Sequence, residues 1–202
     1  MKLRFSPTSP YVRKVMICVI ELGLENQVEK VATNPWSADT DLPDDNPLGK
    51  VPALALDDGN VLFDSPVICE YLDSLSDKLQ LFPAGSARWA ALRVQAMADG
   101  ILDASVARFL EGKRDAGRQS ESWLARQRSI VHRTLDVLEQ EASAWGETLT
   151  IGHIATGAAL GYVGFRFADD TWQQGRPVLS AWYDRFAARE SMQQTVPVAP
   201  SE

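Results

Sequence analysis

The spacing of apolar residues changes near residue 83, and no other feature constrains the fold as strongly. Before this point, short apolar runs of strand length alternate with helical patterns and turn residues. After Pro83, Ala84 and Gly85, apolar residues recur every three to four positions. The 202 residues are enough for two domains. The pattern predicts an α/β domain at 1–80, a linker at 81–86 and an all-helical domain at 87–202.

The first part of the chain predicts the element order β-α-β-β-β-α. Apolar residues at helical spacing from Val12 to Ile20 predict the first helix, and Gly23 ends it. Ser65 as N-cap and Pro66 at the first helical position predict the start of the second helix. The predicted strands lie at 2–5, 28–31, 51–56 and 60–63, the last two joined by an Asp-Asp-Gly turn.

The second part carries four helical patterns, of which the third is the most apolar. The segment 148–165 contains no Asp, Glu, Lys or Arg and approaches the minimum length of a membrane helix. It also holds His153, three threonines and four glycines. We therefore predict a buried central helix instead of a membrane span. The first apolar run, 15–20, is too short for a signal peptide, which favours a cytoplasmic protein.

Charge and composition exclude several classes of function. Twenty-seven acidic residues against 20 basic ones give a net charge of -7. An acidic chain without a Lys/Arg cluster is a poor candidate for nucleic-acid binding, which depends on phosphate neutralisation. Two histidines and two cysteines form no metal-binding pattern and no disulfide framework, so no metal is predicted. We expect Cys18 and Cys69 to pack in the core.

Two local features of the first domain suit a ligand with anionic and peptide groups. Thr8 and Ser9 stand before the first helix, where a hydroxyl, backbone N–H groups and the helix dipole stabilise an anion. The segment 46–52 ends in Val51-Pro52, and a cis bond there would present the Val51 backbone to a peptide-like ligand. Each feature has an ordinary alternative, an N-cap in the first case and a trans proline in the second.

A third feature, Asp64-Ser65, stands at the start of the second helix. The Ser65 hydroxyl and the helix N-terminus suit a carboxylate, while Asp64 suits an ammonium group. Together they would hold the two charged ends of an α-amino acid. The alternative is an ordinary capping pair.

The three features in this order resemble the bacterial cytosolic glutathione S-transferase superfamily. The resemblance rests on S-P-x-V-R-K from Ser9, N-P-x-G-K-V-P from Asn46 and D-S-P from Asp64, and it covers nearly the whole chain. It extends to 149–155, which matches the family's helix-capping segment. It implies a thioredoxin-like first domain, a helical second domain, glutathione as cosubstrate, a homodimer and a role in detoxification.

The resemblance also carries site residues over by position. Ser9 takes the catalytic slot where reductase-like members have cysteine, which indicates a Ser-type member, with Thr8 as the alternative. The implied glutathione-binding residues are Lys50, Val51, Pro52, Asp64 and Ser65. Candidates for the electrophile pocket are Tyr11, Trp36, Arg108 and Glu111. In the capping segment His153 replaces the usual Asp, and we expect a modest loss of stability because the reciprocal carboxylate is missing.

The predicted function is a glutathione transferase that activates the glutathione thiol as a thiolate for attack on a small hydrophobic electrophile. One alternative is a non-catalytic or vestigial module of the same fold that binds glutathione or a protein. Another is a glutathione-dependent reductase or isomerase, which the absence of a cysteine at Ser9 disfavours, since a hydroxyl cannot form a mixed disulfide.

Overall fold

A computed structural model describes residues 1–198, which form two compact units. The boundary between them lies between Pro83 and Ala84. In the N-terminal unit four strands form one mixed sheet of order β2-β1-β3-β4, in which only β1 and β2 are parallel. Its elements are β1 (Lys2–Phe5), α1 (Pro10–Glu21), β2 (Glu29–Ala32), α2 (Leu42–Asp45), β3 (Leu54–Ala55), β4 (Val61–Leu62) and α3 (Ser65–Ser74). The predicted order of four strands and two helices is confirmed, with the one-turn α2 added.

The ends of α1 form as their residues predict. The Ser9 side chain accepts a hydrogen bond from the Val12 N–H, and Pro10 occupies the first turn, where its missing N–H removes no helical bond. At the other end Gly23 adopts φ +70°, a left-handed conformation that a side chain disfavours.

The start of α3 differs from the prediction by one residue. Asp64, not Ser65, is the N-cap: its side chain accepts a hydrogen bond of 2.5 Å from the Ser65 N–H. Ser65 is therefore the first residue of the helix and Pro66 the second. Aspartate and serine are both preferred N-caps, so residue type alone did not separate them.

The helical unit contains α4 (Gly85–Gly112), α5 (Glu121–Ala142), α6 (Ile151–Arg166) and α7 (Pro177–Ala187). Helix α6 packs mainly against α4, and most of its residues are buried. The predicted buried central helix is thus confirmed. Within residues 1–198, no helix combines the length and the apolar character needed to cross a membrane.

Helices α4 and α6 approach closely at Gly152. A Cβ atom placed there would lie 2.9 Å from the Ala91 carbonyl oxygen and 2.9 Å from the Val94 Cβ. Because one of these atoms belongs to the α4 backbone, no rotation of a side chain relieves the contact. The packing of the two helices therefore requires glycine at this position.

A short helix near the C-terminus, α8 (Glu190–Gln193), belongs to the N-terminal unit. The Arg13 guanidinium donates to the Met192 carbonyl oxygen at 3.2 Å, and the Ser191 hydroxyl donates to Glu21 at 2.5 Å. Both Arg13 and Glu21 lie on α1, so α8 extends the first unit. The sequence-based range of the helical domain, 87–202, had included this segment, and nothing in its local pattern indicated a return to α1.

Helix α6 begins with a capping box in which an imidazole replaces the usual carboxylate. The Thr150 backbone N–H donates to Nδ1 of His153 at 3.3 Å. The neutral ring thus satisfies a helix N-terminus as Glu or Gln would. The expectation of a missing reciprocal partner was therefore wrong, since only the charge is absent.

Protonation of His153 would remove this acceptor, so we predict a stability that depends on pH. Burial lowers the pKa of His153 from an ordinary value of about 6.5. A hydrogen bond with the Thr148 backbone opposes this shift without cancelling it, and Arg189 lowers the pKa further. The unfolded chain then binds more protons than the folded one between the two pKa values. The contribution is complete above about pH 6.5 and is lost as the pH falls through the folded pKa. Urea unfolding should show a lower free energy of unfolding at about pH 5.5 than at about pH 7.5.

The variant His153→Gln supplies the matched test, because glutamine accepts the same bond without titrating. We expect its free energy of unfolding to fall less between the two pH values. Burial and Arg176 also lower the pKa of His132, so His132→Gln is the control that keeps the His153 contribution. If His153→Gln loses as much stability as the original protein, the capping role of the imidazole is wrong.

Candidate functional site

A turn between β1 and α1 positions the two candidate hydroxyls. The Ser9 N–H donates to the Ser6 carbonyl oxygen at 3.2 Å and closes the turn. The Ser9 Oγ accepts from the Val12 N–H at 3.3 Å, which leaves the hydroxyl proton free to donate. Thr8 precedes it in the same turn, and both residues are half-buried. The geometry thus provides Ser9 as a donor at a helix N-terminus.

The loop before β3 is held by Asn46, which is 2% exposed. Its Nδ2 donates to the Lys50 carbonyl oxygen at 2.7 Å, and its Oδ1 accepts from the Leu48 N–H at 3.0 Å. Gly49 completes the turn with φ +62°. Asn46 thereby fixes the path of the chain into Lys50 and Val51. The Asn-Pro pair indicated a turn, but only the contacts show that this side chain positions the site.

The backbone of Val51 is left unpaired in this arrangement. The Val51–Pro52 peptide bond is cis. Within residues 1–198, neither the N–H nor the carbonyl of Val51 forms a backbone hydrogen bond, whereas the Ala53 carbonyl accepts from the Arg4 N–H at 2.8 Å. An extended peptide could therefore pair with Val51 in the manner of an added strand. β3 begins only at Leu54, since Pro52 has no N–H to donate to a neighbouring strand.

The start of α3 combines an exposed carboxylate with a buried hydroxyl. Asp64 is exposed, and Ser65 is 1% exposed. The Ser65 Oγ has no hydrogen-bond partner within the described part of the chain. Buried hydroxyls nearly always have one, so this hydroxyl is available to a partner supplied from outside the chain. A second cis bond, Phe63–Asp64, precedes the pair, and no sequence feature predicted it.

The register of the sheet brings these three features to one edge. Leu3 of β1 pairs with Leu54 of β3, and Leu54 pairs with Leu62 of β4. Because both pairings are antiparallel, the end of β1, the start of β3 and the end of β4 lie side by side. Ser9, Val51 and Asp64 lie within a few residues of these strand ends. Features that are 55 residues apart in sequence thus share one edge of the sheet.

Both parts of the chain are similar to known proteins. Residues 8–75 match the family model described as the N-terminal domain of glutathione S-transferase, and residues 121–185 match the model of its C-terminal domain. The chain belongs to the glutathione S-transferase family. The predicted fold, a thioredoxin-like domain followed by a helical domain, is confirmed by the solved structures of this family.

Relatives in the family cover almost the whole chain. An uncharacterised GST-like protein of Escherichia coli K12, YibF, is 37% identical over 98% of this chain and 98% of its own length. A family member from Pseudomonas fluorescens Pf-5, solved with bound S-(propanoic acid)-glutathione, is 43% identical with a TM-score of 0.91, over 98% of this chain and all of that chain. A glutathione S-transferase from Methylobacillus flagellatus KT, solved with bound glutathione, is 36% identical with a TM-score of 0.92, over 98% and 99% of the two chains.

Two candidate pocket residues of this glutathione S-transferase chain lie in the N-terminal unit. Tyr11 is half-buried in the first turn of α1. Trp36 is 73% exposed in the loop after β2, where its backbone N–H donates to the Asn34 Oδ1 at 3.0 Å. Lys50, the looser of the implied glutathione contacts, is exposed beside Val51. These exposures leave all three side chains accessible, and their roles stay predictions.

The other two candidates, Arg108 and Glu111, are bonded inside the helical unit. Arg108 donates to both carboxylate oxygens of Asp170 and stacks on the Phe167 ring at 4.0 Å. Burial raises the Asp170 pKa, but the hydrogen bonds of Arg108 together with the charges of Arg108 and Arg128 outweigh burial and hold the pKa below its ordinary value. Glu111 accepts from the Ser120 N–H at 2.8 Å, which lowers its pKa. Both side chains thus link elements of the helical unit. To line an electrophile pocket, either side chain would have to contact the electrophile while it keeps these bonds.

The two cysteines are buried and free, as predicted. Burial raises the pKa of the Cys18 thiol well above its ordinary value, and the neighbouring Cys69 thiol raises it further. A thiol with a raised pKa is a poor nucleophile at neutral pH. Within the described residues, no group of three or more His, Cys, Asp and Glu side chains could hold a metal ion.

Proposed function

We propose that the protein is a glutathione transferase, which binds glutathione in its N-terminal unit and activates the thiol for attack on a small hydrophobic electrophile. The observation that carries this proposal is the buried Ser65 hydroxyl without a partner, at the sheet edge that also holds Val51 and Ser9. Solved relatives that contain glutathione or a glutathione conjugate support the choice of ligand.

Each end of glutathione has a matching group in this unit. The α-carboxylate of the γ-glutamyl residue would accept from the Ser65 hydroxyl at the N-terminus of α3, where the helix dipole also favours an anion. The exposed Asp64 carboxylate would hold the neighbouring ammonium group. The cysteinyl residue would pair with the Val51 backbone, and Lys50 would meet the glycyl carboxylate. The anionic groups of glutathione would be held by the helix N-termini and Lys50 and not by the net charge of the chain.

Activation of the thiol is assigned to Ser9. A free thiol has a pKa of about 8.5 and is mostly protonated at neutral pH. A hydroxyl that donates to the sulfur, together with the N-terminus of α1, favours the thiolate. Lowering the pKa by one unit needs about 1.4 kcal/mol, which one charge-assisted hydrogen bond supplies. The sulfur then attacks the electrophile and forms a thioether. Dimerisation and a role in detoxification remain predictions from the family.

Calorimetry with glutathione tests the binding site. We expect the original protein to bind glutathione and Ser65→Ala to bind it about tenfold or more weakly, because a hydrogen bond to a charged group is lost. Ser74→Ala is the matched control, since this hydroxyl lies at the opposite end of α3 and donates to the Tyr71 carbonyl oxygen. Absence of binding at millimolar glutathione would contradict the proposal, and equal affinities of Ser65→Ala and Ser74→Ala would contradict the role of Ser65.

A non-catalytic binding module is the second candidate. The Ser9 Oγ already accepts from the Val12 N–H, which is what an ordinary N-cap does. This candidate predicts glutathione binding without turnover on any member of a broad panel of electrophiles. A glutathione-dependent reductase is less favoured, because both cysteines are buried and neither occupies the catalytic slot.

A further inference from the structure

The last residue of α6, Arg166, differs from the arginines around it. Arg108 and Arg128 both form ion pairs with Asp170. Arg166 has no carboxylate partner within residues 1–198. Its Nε is buried and has no hydrogen-bond partner there either. A half-buried cation without a counter-charge is unfavourable unless something else completes its environment.

Aromatic rings surround the Arg166 guanidinium instead. Its central carbon lies 4.2 Å from the Phe109 ring centroid, 4.4 Å from that of Phe165 and 5.8 Å from that of Tyr162. Phe109 lies on α4 and the other two on α6, so the cluster is formed within the helical unit. Contact with aromatic faces stabilises the cation through cation–π attraction. Among the N–H donors on the edge of the guanidinium, the Nε–H lacks a partner within the described residues.

The surrounding charge is positive as well. The Lys113 ammonium lies 5.4 Å from the centroid of the same Phe109 ring. Arg166 also lies close enough to the Tyr162 hydroxyl to oppose the rise of its pKa, which burial causes. Two cations therefore lie close to the Phe109 ring, and their charges favour an anion bound nearby. A flat carboxylate suits the planar guanidinium, because the two groups form paired hydrogen bonds.

We propose that Arg166 binds the carboxylate of an aromatic acid, whose ring packs against Phe109 and Phe165, and that the preferred electrophile carries such a carboxylate. The assignment of the electrophile rests on the proposed transferase function. Binding of the aromatic acid depends only on residues of the helical unit. A neutral hydrophobic ring would satisfy the phenylalanines but leave the Arg166 Nε without a partner.

Binding is measured first, with 3,5-dinitrobenzoate and its uncharged amide, 3,5-dinitrobenzamide, as probes. Calorimetry should give a Kd for the benzoate about tenfold or more below that for the amide. Arg166→Gln should remove this preference, and Arg166→Lys should keep part of it. Arg118→Gln, which changes an exposed arginine of the same unit, should bind both probes as the original protein does.

Turnover is measured with 4-chloro-3,5-dinitrobenzoate and the corresponding amide. The glutathione sulfur bonds to the ring carbon that carries chlorine, chloride leaves with the bonding electron pair, and the thiol proton passes to the buffer. We expect Arg166→Gln to lower kcat/KM for the benzoate about tenfold or more and to leave that for the amide nearly unchanged.

The outcomes separate this inference from the transferase function. Equal affinities of the original protein for benzoate and amide overturn the carboxylate site, even if Arg166→Gln does not fold. A benzoate preference that persists in folded Arg166→Gln overturns the role of Arg166. Benzoate binding that depends on Arg166 but occurs without turnover supports the site and contradicts the electrophile assignment, while glutathione calorimetry tests the proposed function by itself.

Discussion

Replacement of Ser9 with alanine is expected to lower kcat/KM about ten- to a hundredfold at neutral pH, because the glutathione thiolate loses a charge-assisted hydrogen bond. The Kd of glutathione should change little, since the peptide is proposed to bind through Val51, Asp64 and Ser65. The pKa read from the pH profile of kcat/KM should rise by about one to two units. Steady-state kinetics across pH, together with calorimetry, measures both effects.

The same substitution removes an N-cap, so stability must be separated from chemistry. The Ser9 Oγ accepts from the Val12 N–H, and an alanine there lowers the free energy of unfolding by about 1 kcal/mol. Glycine retains most of the N-cap preference while lacking the hydroxyl. Ser9→Gly should therefore match Ser9→Ala in turnover and exceed it in stability. Unchanged turnover in both variants contradicts the role of Ser9, and Thr8→Val then tests the other hydroxyl.

Replacement of Gly152 with alanine is expected to lower the free energy of unfolding by about 1–3 kcal/mol through overpacking. The new Cβ would lie 2.9 Å from both the Ala91 carbonyl oxygen and the Val94 Cβ, so α4 and α6 must separate. The gain in helix propensity from alanine, about 1 kcal/mol at most, does not offset this strain. Denaturant unfolding followed by circular dichroism measures the change.

Gly100→Ala is the matched control for this prediction. Gly100 also lies within a long helix, α4, but no atom outside its own helical turn lies within 4 Å of the position that an added Cβ would take. Alanine there should raise stability by a few tenths of a kcal/mol to about 1 kcal/mol, since it restricts the unfolded chain. Opposite signs for the two substitutions support the close approach of the helices at Gly152. A Gly152→Ala protein whose free energy of unfolding is not lowered contradicts this close approach.

Much of the N-terminal unit follows from local pattern. The helical spacing from Val12, the turn before Asn60 and the short segment 2–5 predict elements that the structure contains. The ends of elements were less predictable. Asp64 and Ser65 have similar capping preferences, and only the backbone path shows that Asp64 takes the N-cap.

The hydrogen-bond and ion-pair partners of individual side chains could not be predicted from local pattern. His153 lacks the expected carboxylate, yet its ring accepts the Thr150 N–H, which only the ring's orientation reveals. Arg108 and Arg166 lie on helical patterns of similar appearance. The fold brings Asp170 to Arg108, and it brings the Phe109 ring of α4 to Arg166, beside Phe165 and Tyr162 of its own helix. Their different roles follow from what packs nearby, not from residue type.

The sequence by itself determined the two-part architecture, because the spacing of hydrophobic residues indicates whether a segment buries one face of a strand or of a helix. It also determined where the three candidate motifs stand and, through their resemblance, the family. The tertiary structure decided that these motifs meet, because the β1–β3 and β3–β4 registers bring their strand ends to one edge. It also decided which polar atoms lack partners, notably the Ser65 Oγ and the Arg166 Nε. Those unpaired atoms arise from contacts between distant residues, which no local pattern encodes.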